Sequence, residues 1–132
     1  MELRAILASS RTIAVIGASP NPVRPSHWIS KYLMEKGYVV IPVNPGHDSL
    51  FGLTCYPNLS SIEEQVDVVN IFRRSDAVPD IVEAVIARSD VQLIWMQDNV
   101  YHPEAAELAM REGIPTVMND CIYRFLNSWG TS

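Results

Sequence analysis

Thr12-Ile13-Ala14-Val15-Ile16-Gly17-Ala18-Ser19 decides the fold of this chain. A β-branched apolar run ends at a glycine, and a small polar residue follows two positions later. Pro20, Pro22 and Pro25 then lead to Ser26, where an amphipathic helical pattern opens. This reads as the first strand, turn and helix of a doubly wound sheet. The glycine lets main chain approach a phosphate, and the helix N-terminus offers unpaired N–H groups to an anion. No second or third glycine completes G-x-G-x-x-G, so the turn alone points no further than a nucleotide-like ligand.

Outward from that stretch, apolar runs recur at 38–43, 66–72, 91–96 and 114–118. They are rich in valine and isoleucine without clean alternation, as expected of parallel strands covered on both faces. Helical patterns separate them. Residues 26–36 place Trp28, Ile29, Tyr32 and Leu33 on one stripe and stop at Gly37. Residues 76–89 carry Ile81, Val82, Val85 and Ile86, and 103–112 carry Ala105, Ala106, Ala109 and Met110 before Gly113. Ser60 and Glu63 have the spacing of a capping box for a short helix. Residues 1–10, with Leu3, Ile6 and Leu7 on one face, read as an N-terminal helix packing on the domain.

Strands alternating with helices predict an α/β, Rossmann-like, doubly wound sheet of about five parallel strands in the order 3-2-1-4-5, with helices on both faces. The long irregular segment 44–59 has room for a short edge strand around 54–56.

At 132 residues the chain is expected to form one domain, 1–132. Its 48% hydrophobic and 19% charged content is that of a compact protein without a disorder signature. A formal charge of −5 argues against a nucleic-acid or anionic-membrane surface, so a polyanionic ligand must be met locally by main-chain dipoles and a few arginines. Cys55 and Cys121 are too few for a disulfide framework and lack metal-ligand spacing. No apolar stretch is long enough to span a bilayer, and residues 1–10 lack the regions of a signal peptide. These features predict a cytoplasmic protein, monomer or homodimer, with a small-molecule ligand.

In open α/β sheets ligands lie beyond the carboxyl ends of the strands. The residues there are Gly17, Ala18 and Ser19; Asn44 and Pro45; Arg73 and Arg74; Gln97 and Asp98; and Asn119, Asp120 and Cys121. A typical NAD site needs Asp or Glu at the end of the second strand for the ribose diol, and Asn44 stands there instead. The P-loop pattern is missing. Arg24, before the helix, and Arg73-Arg74 are placed to hold phosphates through bidentate hydrogen bonds. His27, His47 and His102 have no metal-ligand spacing and read as capping or surface residues, and Ser19 lacks a nucleophile elbow. No catalytic or metal-ligating set emerges.

Val15-Ile16-Gly17-Ala18-Ser19, Arg24-Pro25-Ser26, Val43-Asn44-Pro45, the string over 67–75 (Asp-Val-Val-Asn-Ile-Phe-Arg-Arg-Ser) and Trp95-Met96-Gln97 together resemble the small stand-alone CoA-binding proteins of bacteria and archaea. That family is similar in fold to the N-terminal CoA-binding domain of the succinyl-CoA ligase α subunit. The likeness runs over about 12–122. It implies coenzyme A at the strand ends and no established reaction. By position it implies Gly17, Ala18 and Ser19 at the pyrophosphate, beside the helix start Arg24-Pro25-Ser26. It further implies Asn44 and Pro45 bordering the adenosine with Arg73 beside it, and Met96 and Gln97 along the pantetheine path. Two departures fall at the thiol end. Asp98-Asn99 replaces an apolar residue and a glycine, and Asn119-Asp120-Cys121 replaces Asp-Arg-Cys. The reading is a non-catalytic carrier, sensor or regulatory module for CoA or an acyl-CoA. Its alternatives are an NAD(P)-binding oxidoreductase or redox sensor, and an acyl-CoA enzyme subunit that needs a partner.

Overall fold

The computed structural model describes residues 2–129; Met1 and residues 130–132, which the single-domain expectation includes, lie outside the described residues. β1 (Thr12–Ile16), β2 (Val39–Val43), β5 (Val68–Ile71), β6 (Leu93–Met96) and β7 (Thr116–Val117) form a parallel sheet in the order β2-β1-β5-β6-β7. Beyond β2, Tyr56 makes a parallel bridge to Val43. With that bridge counted as the third strand, the order reads 3-2-1-4-5 and continues to a sixth, as expected. The 66–72 run therefore lies beside β1 in fourth place, and the edge anticipated around 54–56 takes the third.

The β-branched strands are buried because both faces are covered. Ala14, Ile16, Val69, Ile71, Ile94 and Met96 face one layer, where they meet Val78, Val82 and Val85 of α3 (Val78–Arg88) and the alanines of α4 (Pro103–Arg111). Ile13, Val15, Val68, Leu93 and Trp95 face the other, against Leu7 of α1 (Leu3–Ser9), Ile29 and Leu33 of α2 (Pro25–Glu35), and Ile122 and Leu126 of α5 (Ile122–Trp129). The alternation is the period-two rule of a strand applied to two apolar layers. Each fully buried Ile, Leu or Val contributes about 1.5–3 kcal/mol.

The segment after β2 is less irregular than its sequence suggests. β3 (Ser49–Leu50) and β4 (Leu53–Thr54) pair antiparallel across Phe51 and Gly52, both at positive φ. The Ser60–Glu63 capping box does not form. A short 3-10 turn, Leu59–Ser61, is capped instead by Asn58, whose Oδ1 accepts from the Ser61 N–H at 2.9 Å.

Below the sheet, Arg88 ties the loops together. Its guanidinium donates to the carbonyls of Leu59, Ile62 and Glu64 and to both oxygens of Asp90, which also accepts from the Val66 N–H.

Candidate functional site

The parallel strands all end on one side, and there a cleft of about 1020 Å³ opens between the β1–α2 turn, the ends of β2, β5 and β6, and the start of α5. Gly17, Ala18, Ser19, Arg24, Pro25, Ser26, Asn44, Pro45, Arg73 and Gln97 all line it, as do Arg74, Asp98 and Cys121, whereas Met96, Asn119 and Asp120 do not. Met96 departs from the expected place on the pantetheine path. It is fully buried, and the alternation along β6 turns its side chain toward α3 and α4, away from the cleft. Only its carbonyl reaches the rim, accepting from the Asp120 N–H at 3.2 Å.

Gly17 adopts φ +91°, as the turn requires. Its N–H and that of Ala18 both donate to the Val43 carbonyl, at 2.9 and 3.3 Å, so these two donors serve the fold. Among the described residues, the N–H groups of Ser19 and Ser26 make no hydrogen bond to protein, and Ser26 lies in the first turn of α2. They are main-chain donors with capacity for an anion. Arg24 and Arg73 are exposed beside them without an ion pair among the described residues, while Arg74 pairs with Asp76 at 3.4 Å. Asn44 is engaged at both ends. Its Nδ2 donates to the Ala18 carbonyl at 2.8 Å, and its Oδ1 accepts from the Gly46 N–H at 2.8 Å.

On the opposite side, Gln97 Oε1 accepts from Asn70 Nδ2 at 3.2 Å and from the Ile122 N–H at 2.9 Å, capping α5. Arg124, on α5, forks onto Asp98 at 2.9 and 2.8 Å and also donates to Asp120 at 3.1 Å. The Arg124 hydrogen bonds hold the Asp98 carboxyl below the ordinary aspartate range, outweighing the opposing effect of partial burial. Arg124 is raised in turn, chiefly by Asp98. Asn99 takes φ +71°, the conformation a glycine would supply, and its N–H donates to Asn119 Oδ1 at 2.7 Å.

Cys121 lines the cleft but is buried; Cys55 lies elsewhere in the core, where burial is the main cause raising its thiol. His102 caps α4 by accepting from the Ala105 N–H, and His27 Nδ1 lies 2.9 Å from the Ser19 carbonyl, so both are structural. Trp28, assigned to the core by its helical stripe, is 41% exposed and lines the cleft, edge-on to Tyr123. Arg124 and Tyr123 were missed, because nothing in the sequence shows that α5 turns back over the strand ends. No group of three His, Cys, Asp or Glu side chains suited to a metal occurs among the described residues. No described helix is long and apolar enough to cross a membrane.

The CoA binding domain family matches residues 11–126. The uncharacterized protein YneT of Bacillus subtilis is 36% identical over 121 residues, covering 92% of this chain and 89% of that protein. A hypothetical protein from Pyrococcus horikoshii OT3 superposes with a TM-score of 0.90 at 36% identity, covering 95% of this chain and 87% of that one. Acetate–CoA ligase [ADP-forming] I of Archaeoglobus fulgidus is 30% identical over 121 residues, which is 85% of this chain and 18% of the ligase.

Proposed function

Because the chain belongs to the CoA binding domain family, we propose that its cleft binds coenzyme A or an acyl-CoA, as a non-catalytic carrier, sensor or regulatory module in the cytoplasm. The observation that carries this reading is the set of groups around the β1–α2 turn. Among the described residues, the N–H groups of Ser19 and Ser26 and the guanidinium groups of Arg24 and Arg73 have no partner, and all four residues line the cleft. Charge-assisted hydrogen bonds from such groups suit the phosphates of a CoA nucleotide. The pantetheine arm then runs past Gln97 toward Cys121 and Arg124. Gln97 Oε1 is already engaged, leaving its amide N–H groups for an amide carbonyl of the arm.

The Asn44 amide separates CoA from NAD. With both ends engaged by Ala18 and Gly46, the end of β2 offers no free carboxylate to a ribose diol. A thermal-shift panel of CoA, acetyl-CoA, NAD, NADP and ATP tests the reading. CoA at about 100 times its Kd stabilises by about 2.7 kcal/mol, and NAD at the same concentration does far less. Equal or better stabilisation by NAD replaces the proposal with the oxidoreductase alternative. The match to 18% of a ligase favours a second reading, a subunit completed by a partner that supplies the chemistry, and a stoichiometric partner in native purification would support it.

A further inference from the structure

We infer that the Asp98–Arg124–Asp120 cluster selects the acyl class at this site, admitting free CoA and short uncharged acyl groups while disfavouring acyl groups that end in a carboxylate. The inference rests on the CoA reading above and specifies what lies at its thiol end. β6 stands three strands from β2 in the sheet, about 14 Å at ordinary strand spacing. Asp98 and Arg124 therefore line the side of the cleft remote from Asn44 and Pro45, with the phosphate donors between. A CoA whose nucleotide lies toward β2 brings its thiol or acyl group to this cluster.

The Arg124 guanidinium is the cation on that side, and its charge is already committed. It donates to both oxygens of Asp98 and to Asp120 Oδ1, all within 3.1 Å. Two carboxylates face one guanidinium, leaving the cluster with a net charge of about −1 at neutral pH, where Asp is ionised. A third carboxylate arriving on an acyl chain meets that negative charge and finds the fork of Arg124 occupied. To pair with Arg124 it has to displace Asp98 from a bidentate geometry. An uncharged acyl group requires no such exchange and has the apolar faces of Trp28, Tyr123 and Val100 available in the same cleft.

Isothermal titration of the purified protein with CoA, acetyl-CoA and succinyl-CoA at low ionic strength tests this. The cluster is partly exposed, so a moderate effect is expected: succinyl-CoA binds about three- to tenfold more weakly than acetyl-CoA. The gap closes in Asp98→Asn/Asp120→Asn, widens in Arg124→Gln, and shrinks when salt rises from about 0.1 to about 1 M. Arg124 is 57% exposed, so its substitution leaves the fold intact. Equal affinity of the wild type for acetyl-CoA and succinyl-CoA overturns the inference, as does a gap unchanged in the charge variants, while CoA binding itself stands. Failure of all three thioester and thiol ligands, with NAD or NADP bound instead, overturns the CoA reading and this inference with it.

Discussion

Gly17→Ala tests whether the turn after β1 is a backbone necessity. Gly17 has φ +91°, and a Cβ there would lie 3.0 Å from the Phe72 carbonyl oxygen and 3.2 Å from both the Phe72 carbonyl carbon and Arg73 Cδ. The arginine methylene can swing away. The Phe72 carbonyl is main chain and has less freedom, since its residue is anchored at the end of β5 by the Phe72 N–H donating to the Ile16 carbonyl at 2.8 Å. A non-glycine residue at this φ costs about 1–2 kcal/mol, and an overpacked contact with rigid backbone about 1–3 more. The sum, about 2–5 kcal/mol, is a large part of the 5–15 kcal/mol that typically holds a domain together. Urea unfolding followed by circular dichroism measures it. Gly46→Ala is the control, since its added Cβ meets only Asn44 Oδ1 at 3.4 Å and no positive φ is involved; it should change stability by about 0.5 kcal/mol or less. A Gly17→Ala protein that unfolds at the wild-type midpoint with an unchanged slope would show that neither the φ nor the Phe72 contact matters. The Cβ points at β5, so the main damage is to the fold and not to a ligand in the cleft.

Arg73→Ala should weaken CoA binding by about 1.5–3 kcal/mol at low salt in a calorimetric titration, and an unchanged Kd would make Arg73 a solvated surface charge. Asn44→Ala removes the link from the β2 end to the Ala18 carbonyl and should cost about 1–3 kcal/mol in urea unfolding; Asn44→Asp keeps the bond from Gly46 but turns a carboxylate oxygen to the Ala18 carbonyl and should not restore stability. Burial opposes ionisation of Asp90, yet the Arg88 fork and the Val66 N–H outweigh it and hold the carboxyl below its ordinary value. Its contribution is therefore present above the unfolded aspartate pKa of about 3.9 and is lost as pH falls through the lower folded pKa. Melting temperatures should accordingly drop less steeply on acidification in Asp90→Asn than in wild type, and parallel curves would refute the assignment.

The sheet was legible because the physics that writes it is local. Runs such as Thr12–Ile16 are β-branched but for Ala14, and each meets apolar side chains on both faces, so continuous hydrophobicity betrays a covered parallel strand. The cleft followed from topology, since parallel strands bring their carboxyl ends to one rim whatever the loops do. Side-chain direction at the ends of strands was harder to read. Met96 and Gln97 are adjacent, yet one is sealed in the core and the other lines the cleft. The register of β6 against β5, with Asn70 opposite Trp95 and Ile71 opposite Met96, decides which is which. Trp28 was misread for the related reason that a helical stripe says nothing about where the covering layer stops.

The two departures from the family pattern are met by residues at other positions or by other chemistry at the same position. Where a glycine is usual, Asn99 adopts φ +71°, and asparagine is among the residues that tolerate this region best. The Asn119 side chain accepts from its N–H at 2.7 Å, compensating for the strained backbone. Where an arginine is usual, Asp120 stands, but Arg124, in the first turn of α5, lies four residues further on and lines the cleft. Arg124 reaches back from α5 to Asp120 at 3.1 Å, so a guanidinium is supplied beside this position from elsewhere in the chain. The exchange has a chemical consequence. Arg124 arrives paired with Asp98 and Asp120, so this end of the cleft has a cation whose hydrogen bonds are already directed, next to an aspartate held ionised below its ordinary range. The nucleotide wall, by contrast, keeps Arg24 and Arg73 unpaired among the described residues. Unpaired cations on one side, and on the other a guanidinium already committed to two carboxylates, suit the proposed ligand, polyanionic at one end and without a carboxylate at the other.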